Sequence, residues 1–167
     1  LLLLKKKTQP TIILISTLTI FALTKLKRMW KKSHTIITKA ATSQQMWKLF
    51  ANVNNWHKWD EGIDYARMEG KFEKGNYLTL KPKGAPEVKI TLIETVENKT
   101  FTDQTNFPLA VMRGTHIFEE TPEGLRVTTT MTVEGILGFL WRKLVAEKIV
   151  DGLPKEMLDQ ARYASKL

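Results

Sequence analysis

The sequence predicts an α+β fold in which a curved antiparallel sheet of about seven strands surrounds a long C-terminal helix, with two short helices after the first strand. Three observations predict it. Gly135–Leu167 carries the one long helical pattern, with Leu137, Leu140, Trp141, Leu144 and Val145 recurring at spacings of three and four. An unbroken series of strand-like segments, separated by Gly, Pro or Asn, precedes that pattern. In the last of them Leu125, Val127, Thr129, Met131 and Val133 alternate with Arg126, Thr128, Thr130, Thr132 and Glu134, as in an antiparallel strand buried on one face. A helix of this length would reach about 45 Å at about 1.5 Å per residue, and only the strands can cover it.

With 167 residues there is enough chain for one domain with a proper core and too little for two. Cysteine is absent, which excludes disulfides, thiolate metal sites and cysteine nucleophiles. His34, His57 and His116 lie far apart without paired spacing, so no metal site is expected. The net charge of +9 looks like a nucleic-acid signal until it is located. Of the 26 basic residues six lie in 1–28, where no acidic residue occurs, leaving 20 against 17 in the remainder. A near-balanced domain of this kind has no broad phosphate-binding face, and no nucleic-acid partner is expected.

Residues 1–28 read unlike the rest. A leucine run and a lysine triplet lead to the apolar segment Thr11–Leu23, followed by Lys25, Lys27 and Arg28. As a helix that segment spans about 20 Å, short of the ~30 Å hydrocarbon core, although Leu26 and snorkelling lysines extend it. One reading is a membrane anchor through residues 11–26, and the basic excess at Lys25–Lys32 then keeps the domain cytoplasmic. The other takes translation to begin at Met29, the first methionine, with 1–28 as upstream sequence or a leader fragment.

The folded domain is expected over 33–167. His34–Lys39 is rich in β-branched residues and reads as a strand. Thr42 or Ser43 caps a short helix that buries Met46, Trp47, Leu49 and Phe50. Asn52–Asn55 is turn chemistry, and Trp56–Asp60 makes a second short turn or helix. Strands follow near Ile63–Gly70, Asn76–Lys81, Glu87–Val96, Phe101–Phe107, Ala110–Glu119 and Leu125–Glu134. Within the terminal helix Pro154 lacks an N–H, so a kink or brief break is expected at Asp151–Pro154. The apolar face then resumes with Leu153, Met157, Leu158, Ala161 and Ala164.

The strand Thr35–Lys39, the Ala40-Ala41-Thr42 lead into Met46–Phe50, Asn52 to Trp56 and then Trp59-Asp60 together resemble the opening of the polyketide cyclase/dehydrase and START-like (SRPBCC) superfamily. The order of elements is similar over about 33–167. The resemblance implies the helix-grip fold and an apolar cavity beneath the long helix; it does not by itself imply catalysis. The superfamily includes lipid carriers, plant ligand-binding proteins, aromatase/cyclases, ring-hydroxylase subunits and stress-response co-chaperone binders. No motif here assigns a subfamily.

Such a cavity suggests candidate ligand-binding residues. Trp56 and Trp59, three apart, serve either the cavity mouth or the packing of the short helices, the commoner use of large aromatics. Trp141 and Phe139 stand at the start of the terminal helix, where they form either the cavity floor or part of the core. Arg113 and His116 fall on opposite faces of one strand, so only one points inward. An inward His116 is a potential acid or base near neutral pH, or a satisfied structural residue. Asp103 shares its face with Phe101, Thr105 and Phe107, as a polar group in an apolar wall, and Tyr65 can offer a hydroxyl. No nucleophilic triad and no glycine-rich phosphate loop is recognisable, so no cofactor is expected.

Three functions fit this reading. The first is binding or transport of a hydrophobic small molecule such as a lipid, polyketide or aromatic compound; the second, implied by the resemblance, is a cyclase/aromatase-type enzyme using the same cavity. The third is a protein-interaction module. An inward acid–base pair favours the enzyme, a carbon-lined pocket the carrier, and a filled core with an exposed apolar patch the interaction module.

Overall fold

Alternating apolar and polar residues build seven strands that pair antiparallel throughout. The computed structural model describes residues 29–167, and the expectations for 1–28 concern residues outside that range. In chain order the elements are β1 (Trp30–Thr38), α1 (Ser43–Ala51), a 3-10 helix (Val53–Lys58), β2 (Ile63–Met68), β3 (Tyr77–Pro82), β4 (Val88–Val96), β5 (Thr100–Phe107), β6 (Ala110–Thr121) and β7 (Gly124–Glu134). They are followed by α2 (Gly138–Trp141), a π-helical segment (Arg142–Ala146) and α3 (Glu147–Ala164). The sheet order is β1-β7-β6-β5-β4-β3-β2, so every neighbour but β1–β7 is a sequence neighbour. This is the helix-grip α+β fold. β1 starts at Trp30, ahead of the predicted His34.

The two sheet faces follow from the alternation. On β7 the odd-numbered residues from Leu125 to Val133 are buried, and the outward even-numbered ones pair across the ladder: Thr130 with Ser33 at 2.8 Å and Thr128 with Thr35 at 2.9 Å between hydroxyls. α1 begins with a capping box. The Thr42 hydroxyl accepts from the Gln45 N–H at 3.3 Å, while the Gln45 side-chain oxygen accepts from the Thr42 N–H at 3.0 Å. Its buried residues join Phe101, Phe118 and Phe72 in an aromatic cluster that fills one half of the space under the sheet.

The terminal helix differs from expectation in two ways. The brief break at Asp151–Pro154 is absent: α3 continues through Pro154, because one lost i→i−4 bond is outweighed by the burial of Val150, Leu153 and Met157 around it. The irregularity lies upstream, at the π-helical segment. There the helix takes more residues per turn, and Trp141, Val145, Ala146, Ile149 and Val150 face inward. Leu140 and Leu144, expected beside Trp141 and Val145, are therefore exposed, as is Leu158 on the outer side of α3. Among the described residues no helix is long and apolar enough to cross a membrane.

Candidate functional site

α3 packs on β1, β7 and α1, which leaves the middle strands without a helix directly against them. A cavity of about 440 Å³ occupies that gap. Leu80 on β3, Val88 and Ile90 on β4, Met112 and Met131 on β6 and β7, and Val145, Ile149 and Leu153 from the helix form its apolar wall. Phe107 and Trp141 close one end, with rings stacked at 4.3 Å and 13°. The Trp141 indole N–H donates to the Pro108 carbonyl at 3.1 Å, which ties the helix start to the β5–β6 turn.

Polar groups gather at the cavity's inner wall. Asp103 on β5 and His116 on β6 point inward from adjacent strands, with Oδ2 of Asp103 3.4 Å from Nε2 of His116. The imidazole lies flat on Phe101, centroids 4.3 Å apart, and its Nδ1 is 3.3 Å from the Thr129 hydroxyl. Gly114 makes room for this pair. It faces Asp103 across the ladder, and a Cβ there would fall 2.8 Å from Oδ2.

From the helix side come Glu156 and Gln160, one turn apart, and the Gln160 amide donates to Glu156 Oε1 at 2.9 Å. Burial holds the Glu156 carboxyl above its usual range and the nearby Asp60 carboxylate adds to the effect; His116 and the Gln160 hydrogen bond act against it. Among the described residues no three carboxylate or imidazole groups are placed to hold a metal ion.

The structure thus brings Asp103, Phe107, His116 and Trp141 together in one cavity wall. It places the other candidates elsewhere. The Trp56 indole donates to the Phe50 carbonyl at 2.9 Å, and the rings of Trp56 and Trp59 pack edge-on to Phe50, so both fix the 3-10 helix to the core. Tyr65 faces outward because a bulge between Ile63 and Tyr65 shifts the strand register. Its hydroxyl donates to Glu87 at 2.5 Å and the Arg67 guanidinium covers its ring. Phe139 points out to solvent and leaves the cavity end to Trp141. Arg113 is the outward member of its strand pair, bonded to Gln104 and Glu134.

Thr129, Glu156 and Gln160 were missed as site residues. Thr129 sits in the inward register of β7, and Gln160 recurs at core spacing between Met157 and Ala164, so a polar residue in a buried stripe was the available signal.

The profile of the family described as polyketide cyclase / dehydrase and lipid transport matches residues 29–163, most of the chain. The chain belongs to this family. A search of curated proteins gives no match. Among solved structures, norcoclaurine synthase from Thalictrum flavum, in complex with dopamine and hydroxybenzaldehyde, is similar at 14% identity and a TM-score of 0.63, covering 97% of this chain and 95% of that one. The di-domain aromatase/cyclase (ARO/CYC) StfQ of the steffimycin pathway aligns at 9% identity and a TM-score of 0.67, over 98% of this chain and 62% of that one. Ara h 8.0201 aligns at 11% identity and a TM-score of 0.64, over 84% and 100%. At these identities the likeness establishes the shared fold of this polyketide cyclase / dehydrase and lipid transport family member, and nothing about its ligand.

Proposed function

We propose that the protein binds an apolar or amphipathic small molecule between sheet and terminal helix. The cavity carries this reading: about 440 Å³ of space with a carbon wall and one polar cluster, Asp103, His116, Thr129, Glu156 and Gln160. The size suits a small organic ligand. Each 100 Å² of apolar ligand surface hidden there contributes on the order of 2.5 kcal/mol before the costs of association. The polar cluster then orients a ligand oxygen, with the Glu156 carboxyl serving as donor when protonated. The test is native mass spectrometry of the chain purified from its own host, beside an Ile149→Trp variant that fills the cavity. A small molecule retained by the parent and lost from the variant supports the reading. Equal retention by both overturns it.

A second reading, catalysis of the cyclase/aromatase type in the same cavity, is favoured by one observation: the inward pair Asp103–His116. A positioned imidazole moves a proton to or from a reacting group, with Asp103 holding its orientation, and such general acid–base help contributes about 10²–10⁴ in rate. His116→Gln separates the readings. A carrier retains the same molecule in parent and variant, whereas an enzyme whose chemistry is blocked retains one of a different mass or bonding pattern.

A further inference from the structure

The start of the terminal helix carries apolar side chains that cover nothing. Ile136, Phe139, Leu140 and Leu144 are exposed, Phe139 at 66%, and the β5–β6 turn adds Leu109 at 63%. The two segments are one surface, since the Leu137 N–H donates to the Leu109 carbonyl at 3.1 Å and Gly135 permits the close approach. Leu109 holds φ of +54°, a conformation that usually falls to Gly or Asn in a solvent-facing turn. A branched apolar residue kept exposed there is costly unless something covers it.

The free charge at the rim of the patch is basic. Lys143 and Lys148 follow Phe139 and Leu144 by four residues, and Lys31 lies with Met29, Phe139 and Arg142 along one depression. Of the acids beside the patch, Glu134 is engaged by Arg113 and Glu147 by Arg142, and Asp151, unpaired among the described residues, stands further along α3, three residues past Lys148. Among the described residues Lys31, Lys143 and Lys148 form no ion pair. The sequence before Met29 holds six basic residues and no acidic one. A second copy placed face to face would bring like charges together. An apolar patch rimmed by unpaired lysines instead complements an anionic lipid surface.

We propose that this surface, Leu109, Ile136, Phe139, Leu140 and Leu144 with Lys31, Lys143 and Lys148 at its rim, docks on an anionic lipid bilayer. Trp141 and its partner Pro108 adjoin it, so docking presents the Phe107–Trp141 end of the cavity to the membrane. Docking does not depend on what the cavity holds.

The chain has no cysteine, which makes site-specific labelling direct. Leu144→Cys on the patch and Glu123→Cys in the β6–β7 turn, at the opposite end of β7, are each labelled with an environment-sensitive dye in the full chain. Vesicles contain phosphatidylcholine with or without 30% phosphatidylserine, and carry a headgroup-depth quencher. The expected result is at least twofold quenching at 144 with phosphatidylserine, little at 123, and loss of the effect in 1 M salt. Adding Phe139→Ser and Leu140→Ser to the Leu144→Cys chain, both at exposed positions, is expected to remove it. No quenching at 144 overturns the proposal, as does equal quenching at 144 and 123, the pattern of an anchor acting through residues 1–28 alone. A dye at 144 already shielded without vesicles also overturns it, since the patch is then covered by a second copy or by the chain itself.

Discussion

Replacing Gly114 by alanine tests the arrangement of the polar cluster. The added Cβ would sit 2.8 Å from Asp103 Oδ2, 3.2 Å from Oδ1 and 3.3 Å from Cγ, where ordinary contact begins near 3.4 Å. The carboxylate has to retreat by about 0.6 Å or rotate, and its 3.4 Å approach to His116 changes with it. Overpacking of this kind costs about 1–3 kcal/mol. Gly114 has no positive φ to preserve, so once Asp103→Ala removes the obstacle the same substitution is expected to stabilise by about 0.4–1 kcal/mol through the unfolded chain. The interaction between the two sites is then about 1.4–4 kcal/mol, large enough for a double-mutant cycle. Urea unfolding of the parent, both single variants and the double variant measures it. Gly114→Ala alone proving neutral or stabilising would refute the reasoning, as would a penalty that persists in full without the Asp103 carboxyl.

Two further outcomes follow from the structure. The folded-state pKa of Glu156 is raised above its ordinary 4.5, so the native state holds more protons than the unfolded chain, and stability from this site is present below 4.5 and is lost as pH rises through the raised value. Glu156→Gln is expected to keep the Gln160 hydrogen bond and to flatten the fall; parallel stability curves for parent and variant from pH 4 to 8 would count against it. Thr42→Ala removes the hydroxyl half of the capping box and is expected to cost about 0.5–2 kcal/mol, read as a lower urea midpoint with the slope unchanged.

The strands were legible because alternation is a local signal: β7 reads correctly from Leu125 to Val133, and the same parity places Asp103 and Phe107 on the inner face of β5. The order of elements then sufficed for the fold. The site was half legible. Strand parity states that Arg113 and His116 face opposite ways and leaves open which faces in; that is decided by the pairing of β6 with inward Asp103 and Thr129. The facing of Tyr65 was not legible, because a bulge changes parity without a marker in the residues themselves. Glu156 and Gln160 stand in the same stripe as Leu153, Met157 and Ala164, and escaped because a search for apolar periodicity passes over polar side chains.

The π-helical segment decides which aromatic looks where. In an ordinary helix eleven residues make about three turns, so Phe139 would lie almost directly in line with buried Val150 and be driven into the core. Trp141, nine residues from Val150 and about two and a half turns away, would swing to the outside. One surplus residue wound into Arg142–Ala146 turns both by about 100°, carrying Phe139 off that line toward solvent and bringing Trp141 round toward the cavity. The indole becomes the cavity's end wall and the phenyl ring its doorstep, from side chains that composition alone cannot tell apart.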